Sequence, residues 1–363
     1  MKEPAVLHVD PERQWGGGQQ QALYLHLGML SRGLKSGFIC NPGSELANRL
    51  KQHNAHYHCI RHRFEADILA GIQLALYARA HAYHILHLHS SHALSWGLLA
   101  KLFYPNLKLI ASRRVDLHIG QNFLSRWKYT GPMVNAMVAI SDKVRQVMLQ
   151  DGVPQGRIRL IYSGVDTQKF DHVSPDPDYR KHWQIPEETI IIGTVAAFVS
   201  PKDYRNFFGA AAIALKSNPR LHFVAVGDGR QMATMKELVA ELGIADKVCF
   251  SGFQSCVGSH LKAFDIFVIA SKKEGLGTSV LDAMSVGLPV IGTRAGGIAE
   301  MIEDGSSGLL VEVRNSEALA QAIVKLAADK ELRQHLSSHA LKRVHDFSKE
   351  KMVDANIRLY KSL

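Results

Sequence analysis

The sequence predicts an α/β protein of two doubly wound domains, each a parallel sheet covered by helices on both faces. Short β-rich runs alternate with helical patterns along the chain, as successive βαβ units require. Most of these runs are apolar nearly throughout, the mark of parallel strands that are buried on both sides. A polar stretch over residues 166–183, "DTQKFDHVSPDPDYRKHW", interrupts the rhythm with Pro175 and Pro177 and divides the 363 residues into two domain-sized parts.

Each element has its own signal. In the first part the strands read as "AVLHVD", "SGFIC", "HYHCI", "HILHLHS", "LKLIAS", "NAMVAIS" and "RIRLIYS". The helix "QQQALYLHLGMLSRG" ends at Gly33, where the missing Cβ suits a helix terminus. "SELANRLKQHN" opens at Ser44, whose hydroxyl can accept from a first-turn N–H. Beyond the junction the strands resume with "TIIIGTVA", "LHFVAVGDG", "KVCFSG", "DIFVIAS", "LPVIGT" and "SGLLVE". The chain closes in helices, "SEALAQAIVKLAADKELRQHLSSHALKRVHDF" and "SKEKMVDANIRLYKSL". Doubly wound sheets bind ligands beyond the carboxyl ends of their strands, so a cleft with one wall from each domain is expected.

Composition narrows the class. Hydrophobic residues are 46% and charged residues 21% of the chain, enough apolar mass for substantial cores. No apolar run approaches the ~18–20 residues of a membrane span. The start, "MKEPAVLHVD", reads as a first strand rather than a basic and apolar leader, and a cytoplasmic protein is expected. Cys40, Cys59, Cys249 and Cys256 show no paired or regular spacing and are expected to be reduced thiols. The net charge of +10 is one-sided: residues 1–170 hold 20 Lys+Arg against 10 Asp+Glu, and the remainder balances. Such asymmetry suits an anionic partner (a phospholipid surface, a phosphorylated glycan or nucleic acid) and equally a basic face with no ligand.

"SKKEGLGTSVLDAMSVGLPVIGT", residues 271–293, sets Glu274, Gly275, Gly277 and Asp282 where a strand becomes a helix. Glycines there let backbone N–H groups approach a ligand, and the helix N-terminus adds partial positive charge. "GLGTS" therefore reads as a phosphate cradle with the Thr278 and Ser279 N–H groups aimed outward. Glu274 at its lip repels phosphate and suits hydroxyls, and Asp282, about one turn into the helix, suits a second set. Paired diols flanking a diphosphate describe a sugar nucleotide. Acids placed near a helix N-terminus for its dipole are the other reading of this spacing.

"HVDPERQWGGGQQQALYLHL" puts Gly16, Gly17 and Gly18 between a strand and a helix. It is no GxGxxG, so a nicotinamide site has weak support, and it lacks GxxxxGK[ST], which excludes a P-loop. A flexible turn is its plain reading. "YHILHLHSSHALSWG" carries His84, His87, His89 and His92. His87 and His89 share one strand face, where a histidine is most often a satisfied core residue. No carboxylate or Cys accompanies them, which argues against a metal site. "ASRRVDLHIG" sets Arg113, Arg114 and Asp116 at another strand end, as cleft-lining groups or as a surface ion pair. Asp176 and Asp178 in "DPD" lie in the junction and make a poor metal motif. No Cys/His or Ser-His-Asp nucleophile has a local signature.

Glu274 and the acid eight positions on, set in "EGLGTSVLDAMSVGLPVIGTRAGGIAEMI", resemble the EX7E region of the retaining glycosyltransferases of family 4. "IRLIYSGVDTQKF", "VAVGDG" and "DGSSGLLV" are similar to further segments of that family, so the likeness covers most of the chain. It implies the α/β GT-B fold of two facing Rossmann-like domains. Residues 1–172 would form the acceptor-binding domain and 173–346 the nucleotide-sugar-binding domain, with a C-terminal helix over 347–363 packing back on the first.

The resemblance also implies roles. Glu274 would contact the donor sugar's hydroxyls, and the backbone at Gly275, Leu276, Gly277 and Thr278 would hold sugar and phosphates. Asp282 would take the ribose hydroxyls, although the family usually carries the longer Glu there. Gly227 of "VAVGDG" would lie on the donor side. Gly17 and Gly18 would approach the donor, with Gly16 and Gln19 turned towards the acceptor. His89 best matches a functional histidine beside the donor sugar, and Arg113, Arg114 and Asp116 would line the cleft. In "TVAAFVSPKDYRNFF" Lys202, otherwise readable as a solvated side chain, fits a diphosphate-binding lysine. Ala197 stands where the family has an arginine and Asp203 where it has a glycine, so Arg205, Arg113 or Arg114 would have to assist.

The function so implied moves a hexose from a nucleoside diphosphate sugar, UDP-sugar before GDP-mannose, to a hydroxyl of a glycan or lipid-linked acceptor. Retention at the anomeric carbon and a place in lipopolysaccharide or other cell-surface polysaccharide synthesis go with it. His89, Lys202 and Glu274 would work by orientation and charge neutralisation, with the leaving phosphate helping to deprotonate the acceptor. No cofactor and no metal are expected, because cationic groups replace the metal. The basic first part would meet an anionic acceptor at the inner face of the cytoplasmic membrane. A sugar-nucleotide 2-epimerase or hydrolase shares the fold and differs in its products from donor alone. A nucleic-acid-binding protein would need a reading helix or aromatics interleaved with a cationic stripe, and the sequence has neither.

Overall fold

The apolar runs of the first part become β1 (Val6–Asp10), β2 (Ser36–Cys40), β3 (Tyr57–Cys59), β4 (Ile85–Leu88), β5 (Lys108–Arg113), β6 (Ala136–Ala139) and β7 (Ile158–Leu160). All pairs are parallel and the order across the sheet is β3-β2-β1-β4-β5-β6-β7. β1 is buried at every position, pairing Val6 with both Ser36 and Ile85. The chain winds outward from β1 to β3 and then returns to β4, so the sheet reverses its winding between β1 and β4. At such a switch point the following loops diverge to opposite faces and leave a crevice at the carboxyl ends.

The second part repeats the plan with β8 (Ile190–Val195), β9 (Leu221–Val226), β10 (Val248–Gly252), β11 (Ile266–Ile269), β12 (Val290–Thr293) and β13 (Leu309–Val311). Its parallel order is β10-β9-β8-β11-β12-β13, with the switch point between β8 and β11. The structure, a computed structural model, describes residues 3–61, 63–64, 67–120 and 123–363. It divides into Met1–Gly164 with Ser348–Leu363, and Val165–Phe347. That division precedes the proline-rich stretch where the sequence places a junction. The intervening residues belong to the second unit because Val165 N donates to Phe347 O at 2.9 Å and Phe170 and Val173 pack against Gly258.

Local chemistry sets the helix ends. Ser44 accepts from Ala47 N and opens the helix Glu45–Gln52, and the helix Gly17–Leu30 stops just short of Gly33 at φ +70°. The long closing pattern is broken in two, Ser316–Ala328 and Lys330–Arg343, because the Asp329 carboxylate turns to accept from Leu332 N at 2.8 Å and starts a new helix. The last helix, Lys349–Lys361, joins the first unit. Its Met352, Val353, Ile357, Leu359 and Tyr360 share an apolar cluster with Val6, Leu25, Ile85 and Val138. Each such side chain contributes about 1.5–3 kcal/mol on burial. No helix among the described residues is long and apolar enough to cross a membrane.

Candidate active site

In the second unit the loops after β8 and β11 are laced together at the switch point. One runs through Ala197 and Lys202 into the helix Tyr204–Ser217, and the other through Glu274 into the helix Thr278–Ser285. Lys272 N donates to Pro201 O at 2.8 Å, which ties the two loops by backbone. Lys202 and Glu274, far apart in sequence, thereby form a direct ion pair, Nζ to Oε2. Ser271 Oγ donates to the same carboxylate oxygen at 3.3 Å. Their side chains are only 21% and 14% exposed, so the charges attract more strongly than a surface pair would.

Glycines hold this loop in shape. Gly277 sits at φ +88° as the N-cap of Thr278–Ser285 and supplies no side-chain cap, so the first-turn N–H groups of Thr278 and Ser279 have no acceptor within the helix. They present the positive end of the helix beside Glu274. Gly296 closes the other side: a Cβ there would run into the Glu274 carbonyl, which also accepts from Gly297 N at 3.3 Å. Gly275 and Leu276 lie against Gly297, with Leu276 buried.

Asp282 lies further along the helix, and its carboxylate meets Lys169 Nζ at 3.3 Å. Burial pushes its carboxyl above the ordinary value, with Lys169 opposing the shift. Gly227 follows β9 and donates to Gly252 O at 2.9 Å. Ala197 and Arg205 are exposed. Asp203 adopts a left-handed conformation, φ +49° and ψ +52°, at the N-cap of Tyr204–Ser217. That geometry explains the family's glycine at this place. Aspartate is among the few other residues that enter it readily.

In the first unit the switch point gathers the ends of β1, β4 and β5. β1 ends at Asp10, whose carboxylate accepts from Gln19 Nε2 at 2.9 Å and Glu12 N at 3.2 Å. Burial nevertheless pushes this carboxyl up to about 6. Gly16 caps the helix Gly17–Leu30 by backbone alone, and a Cβ on Gly18 would lie 3.2 Å from the Arg114 side chain. Gln19 is therefore spent on Asp10, and the glycine loop rests on Arg114. Arg113 turns away, donating to the Leu117 carbonyl and lying over the Tyr129 ring at 5.2 Å. Asp116 is half-buried in the same loop.

His89 is buried just past the end of β4, with both ring nitrogens engaged. Nε2 lies 3.0 Å from His8 Nδ1, and Nδ1 lies 3.1 Å from a terminal nitrogen of Arg114. His87 stacks on His89 with ring centres 4.2 Å apart, and bonds Tyr360 Oη at 2.5 Å and Ser112 Oγ at 2.8 Å. Burial holds His87 down to about 3 and His8 and His89 well below the ordinary histidine range, so all three are neutral. Their ligand atoms lie within 4.8 Å of one another, close enough for a metal ion. Yet five of the six ring nitrogens bond each other, two hydroxyls and a guanidinium, with His8 Nε2 alone unpartnered among the described residues, so the set reads as a hydrogen-bonded network. His92 stands apart, its Nδ1 2.7 Å from Glu12 Oε1.

Several site residues escape sequence reasoning. Asp10, His8, Tyr360, Lys169 and Gly296 join these constellations through tertiary contacts that no local motif announces. His8 joins them because β1 pairs with β4 and sets His8 beside His87, a strand order that the sequence pattern does not encode.

Comparison with known proteins supplies the family. A model for Glycosyltransferase Family 4 matches residues 15–169, and one for Glycosyl transferases group 1 matches residues 175–343. The chain is 26% identical over 354 residues to the lipopolysaccharide core biosynthesis glycosyltransferase LpsE of Rhizobium meliloti (strain 1021), with 96% of each chain covered. It is 28% identical over 304 residues to the putative glycosyltransferase EpsD of Bacillus subtilis (strain 168), with 79% of each covered. Among solved structures, a glycosyltransferase from Rickettsia africae ESF-5 matches with a TM-score of 0.88 at 22% identity, over 100% of this chain and 99% of that one. Anabaena Alr3699/HepE in complex with UDP matches at 0.86 and 20%, over 99% and 100%. The fold of both units is accordingly GT-B, and the chain belongs to the glycosyltransferases of group 1 and family 4.

Proposed function

We propose that this protein is a retaining, metal-independent hexosyltransferase that uses a nucleoside diphosphate sugar, UDP-sugar before GDP-mannose. Its acceptor is a hydroxyl of a glycan or lipid-linked saccharide of the cell surface. The observation that carries the reading is the ion pair of Lys202 and Glu274 beside the side-chain-free N-terminus of Thr278–Ser285. A cation, a carboxylate and a row of N–H groups in one crevice answer the parts of a sugar nucleotide. The diphosphate takes Lys202 and the helix N-terminus, and the sugar hydroxyls take Glu274. Asp282 receives the ribose hydroxyls, and His89 contacts the donor sugar.

In the chemical step the acceptor oxygen bonds to the anomeric carbon on the face from which the phosphate oxygen departs. The carbon–oxygen bond breaks with its electron pair on the nucleoside diphosphate, and the acceptor proton passes to a phosphate oxygen. Lys202 and the helix N-terminus stabilise the charge that develops there. The preference for UDP is supported by the Anabaena relative, solved in complex with UDP and with UDP-glucose. The acceptor class is supported by the lipopolysaccharide relative LpsE.

A panel of UDP-, GDP- and ADP-sugars in thermal unfolding identifies the donor, since ligand at about 100 times its Kd stabilises by about 2.7 kcal/mol. Proton NMR of products, with chelator and with or without acceptor glycan, then checks the reaction. The expected outcome is a new glycoside with the donor's anomeric configuration. Free sugar or an epimerised donor as the only product would favour the hydrolase or epimerase, and an inverted anomer would end the retaining mechanism.

A further inference from the structure

The hydrogen bonds around His89 have only one consistent direction. A guanidinium donates and never accepts, so the His89 Nδ1 that meets Arg114 at 3.1 Å holds a lone pair. The ring is neutral, so its proton lies on Nε2 and is donated to His8 Nδ1 at 3.0 Å. His8 must then carry its own proton on Nε2, an enclosed atom with no acceptor among the described residues. Donation runs from Arg114 to His89 to His8 and stops there. His87 leaves the chain intact, because its nitrogens bond the Tyr360 and Ser112 hydroxyls.

The two edges of the His89 ring also differ in surroundings. The Nε2 edge faces His8, which is fully buried on β1. The Nδ1 edge faces Arg114, which is only half-buried and lies under the glycine loop. The Nδ1 edge is therefore the less enclosed of the two, and a hydroxyl that meets His89 there would bond to the same lone pair as Arg114.

We infer that Arg114 and His8 are positioning residues that hold His89 as the Nε2–H tautomer, so that His89 meets the donor sugar as a hydrogen-bond acceptor for a hydroxyl. His89 in this form donates no proton to the leaving group. The neutral state is enforced first by burial, and the Arg114 charge adds to it. The buried Asp10 beside Arg114 and the Tyr360 hydroxyl on His87 complete the groups facing this network. This inference rests on the proposed transferase reading for the role of His89, but the tautomer can be read without any turnover.

The test is two-bond proton–nitrogen NMR of the whole protein labelled with nitrogen-15 histidine, assigned with His8→Asn and His89→Gln. Both His8 and His89 should show protonated Nε2 and bare Nδ1 at neutral pH. Arg114→Met should let His89 exchange tautomers and lower kcat/KM for the donor by about tenfold. Arg114→Lys, which keeps a donor at Nδ1, should restore both within about threefold. A protonated Nδ1 or an imidazolium at His89 would overturn the inference. So would an Arg114→Met protein, folded by its melting profile, whose His89 keeps the wild-type tautomer. If no sugar nucleotide is turned over while the tautomers stand as stated, it is the transferase reading that fails.

Discussion

Lys202 and Glu274 neutralise one another, so each must release a partner when a sugar nucleotide arrives. Removing one leaves the other charge largely enclosed and unpaired, which costs more than the pair is worth. Lys202→Ala and Glu274→Gln should therefore each lower stability, and the double variant should recover part of the loss. A double-mutant cycle in thermal unfolding should give a coupling of about 1–3 kcal/mol, and additive effects would disprove a direct pair. In turnover the two diverge. Lys202→Ala should lower transfer more than about tenfold, whereas Glu274→Gln should impair transfer and leave affinity for the free nucleotide nearly intact. Asp10 offers a pH signature. The unfolded chain releases this proton near the ordinary value of 3.8, while burial keeps it bound in the folded protein up to about 6. Between those values folding takes up a proton, so stability falls as pH rises from about 4 to 6 and is level above. The loss amounts to roughly 3 kcal/mol, and Asp10→Asn should abolish this slope in denaturant titrations and be the more stable protein at pH 7.5. A slope unchanged in Asp10→Asn would show that another group carries it.

At the scale of elements, the closing helix Lys349–Lys361 is the piece that ties sequence ends to site. It lies on Gly17–Leu30 where Gly28 faces Val353, and a Cβ on Gly28 would come within 2.6 Å of Val353 Cγ2. Gly28→Ala gains about 1 kcal/mol of helix propensity but overpacks the contact at a cost of about 1–3 kcal/mol. The melting temperature should fall, and Gly28→Ala with Val353→Ala should recover it. A rise in the single variant would mean that the helices do not meet there. The strands were legible in the sequence because parallel strands buried on both faces are plain apolar runs, and "DIFVIAS" and "LPVIGT" read as little else. Glu274 and its glycines were legible because a strand-to-helix turn concentrates them in one short segment. The pairing of Glu274 with Lys202, and of His89 with His8, was not, because strand order brings them together and local pattern does not encode order. The break at Asp329 was hidden as well, since "LAADKELRQHL" keeps a helical period straight through its cap.

For the whole molecule, charge and exposed apolar surface coincide in one unit. The excess of +10 lies in residues 1–170, and the segment after β5 exposes Val115, Leu117, Phe123, Leu124 and Trp127. On the helix Phe123–Thr130 the last three fall within an arc of about 100°, with exposed Arg126 on one flank. The other flank is fixed inward, because buried Lys128 donates to Ser91 Oγ at 2.8 Å. An apolar arc on a basic unit suits a helix that lies in the headgroup layer of an anionic bilayer, and it goes with the lipid-linked acceptor proposed above. Vesicles of phosphatidylcholine with added phosphatidylglycerol should sediment the protein, and raised salt should release part of it through screening. Replacing Phe123, Leu124 and Trp127 together by Ser should cut the bound fraction by at least about tenfold, since each apolar side chain contributes about 1.5–3 kcal/mol. Transfer to a soluble saccharide acceptor should be unaffected. Equal binding to neutral and anionic vesicles would remove the electrostatic part. If the triple variant sediments as the parent does, the helix Phe123–Thr130 is not the contact.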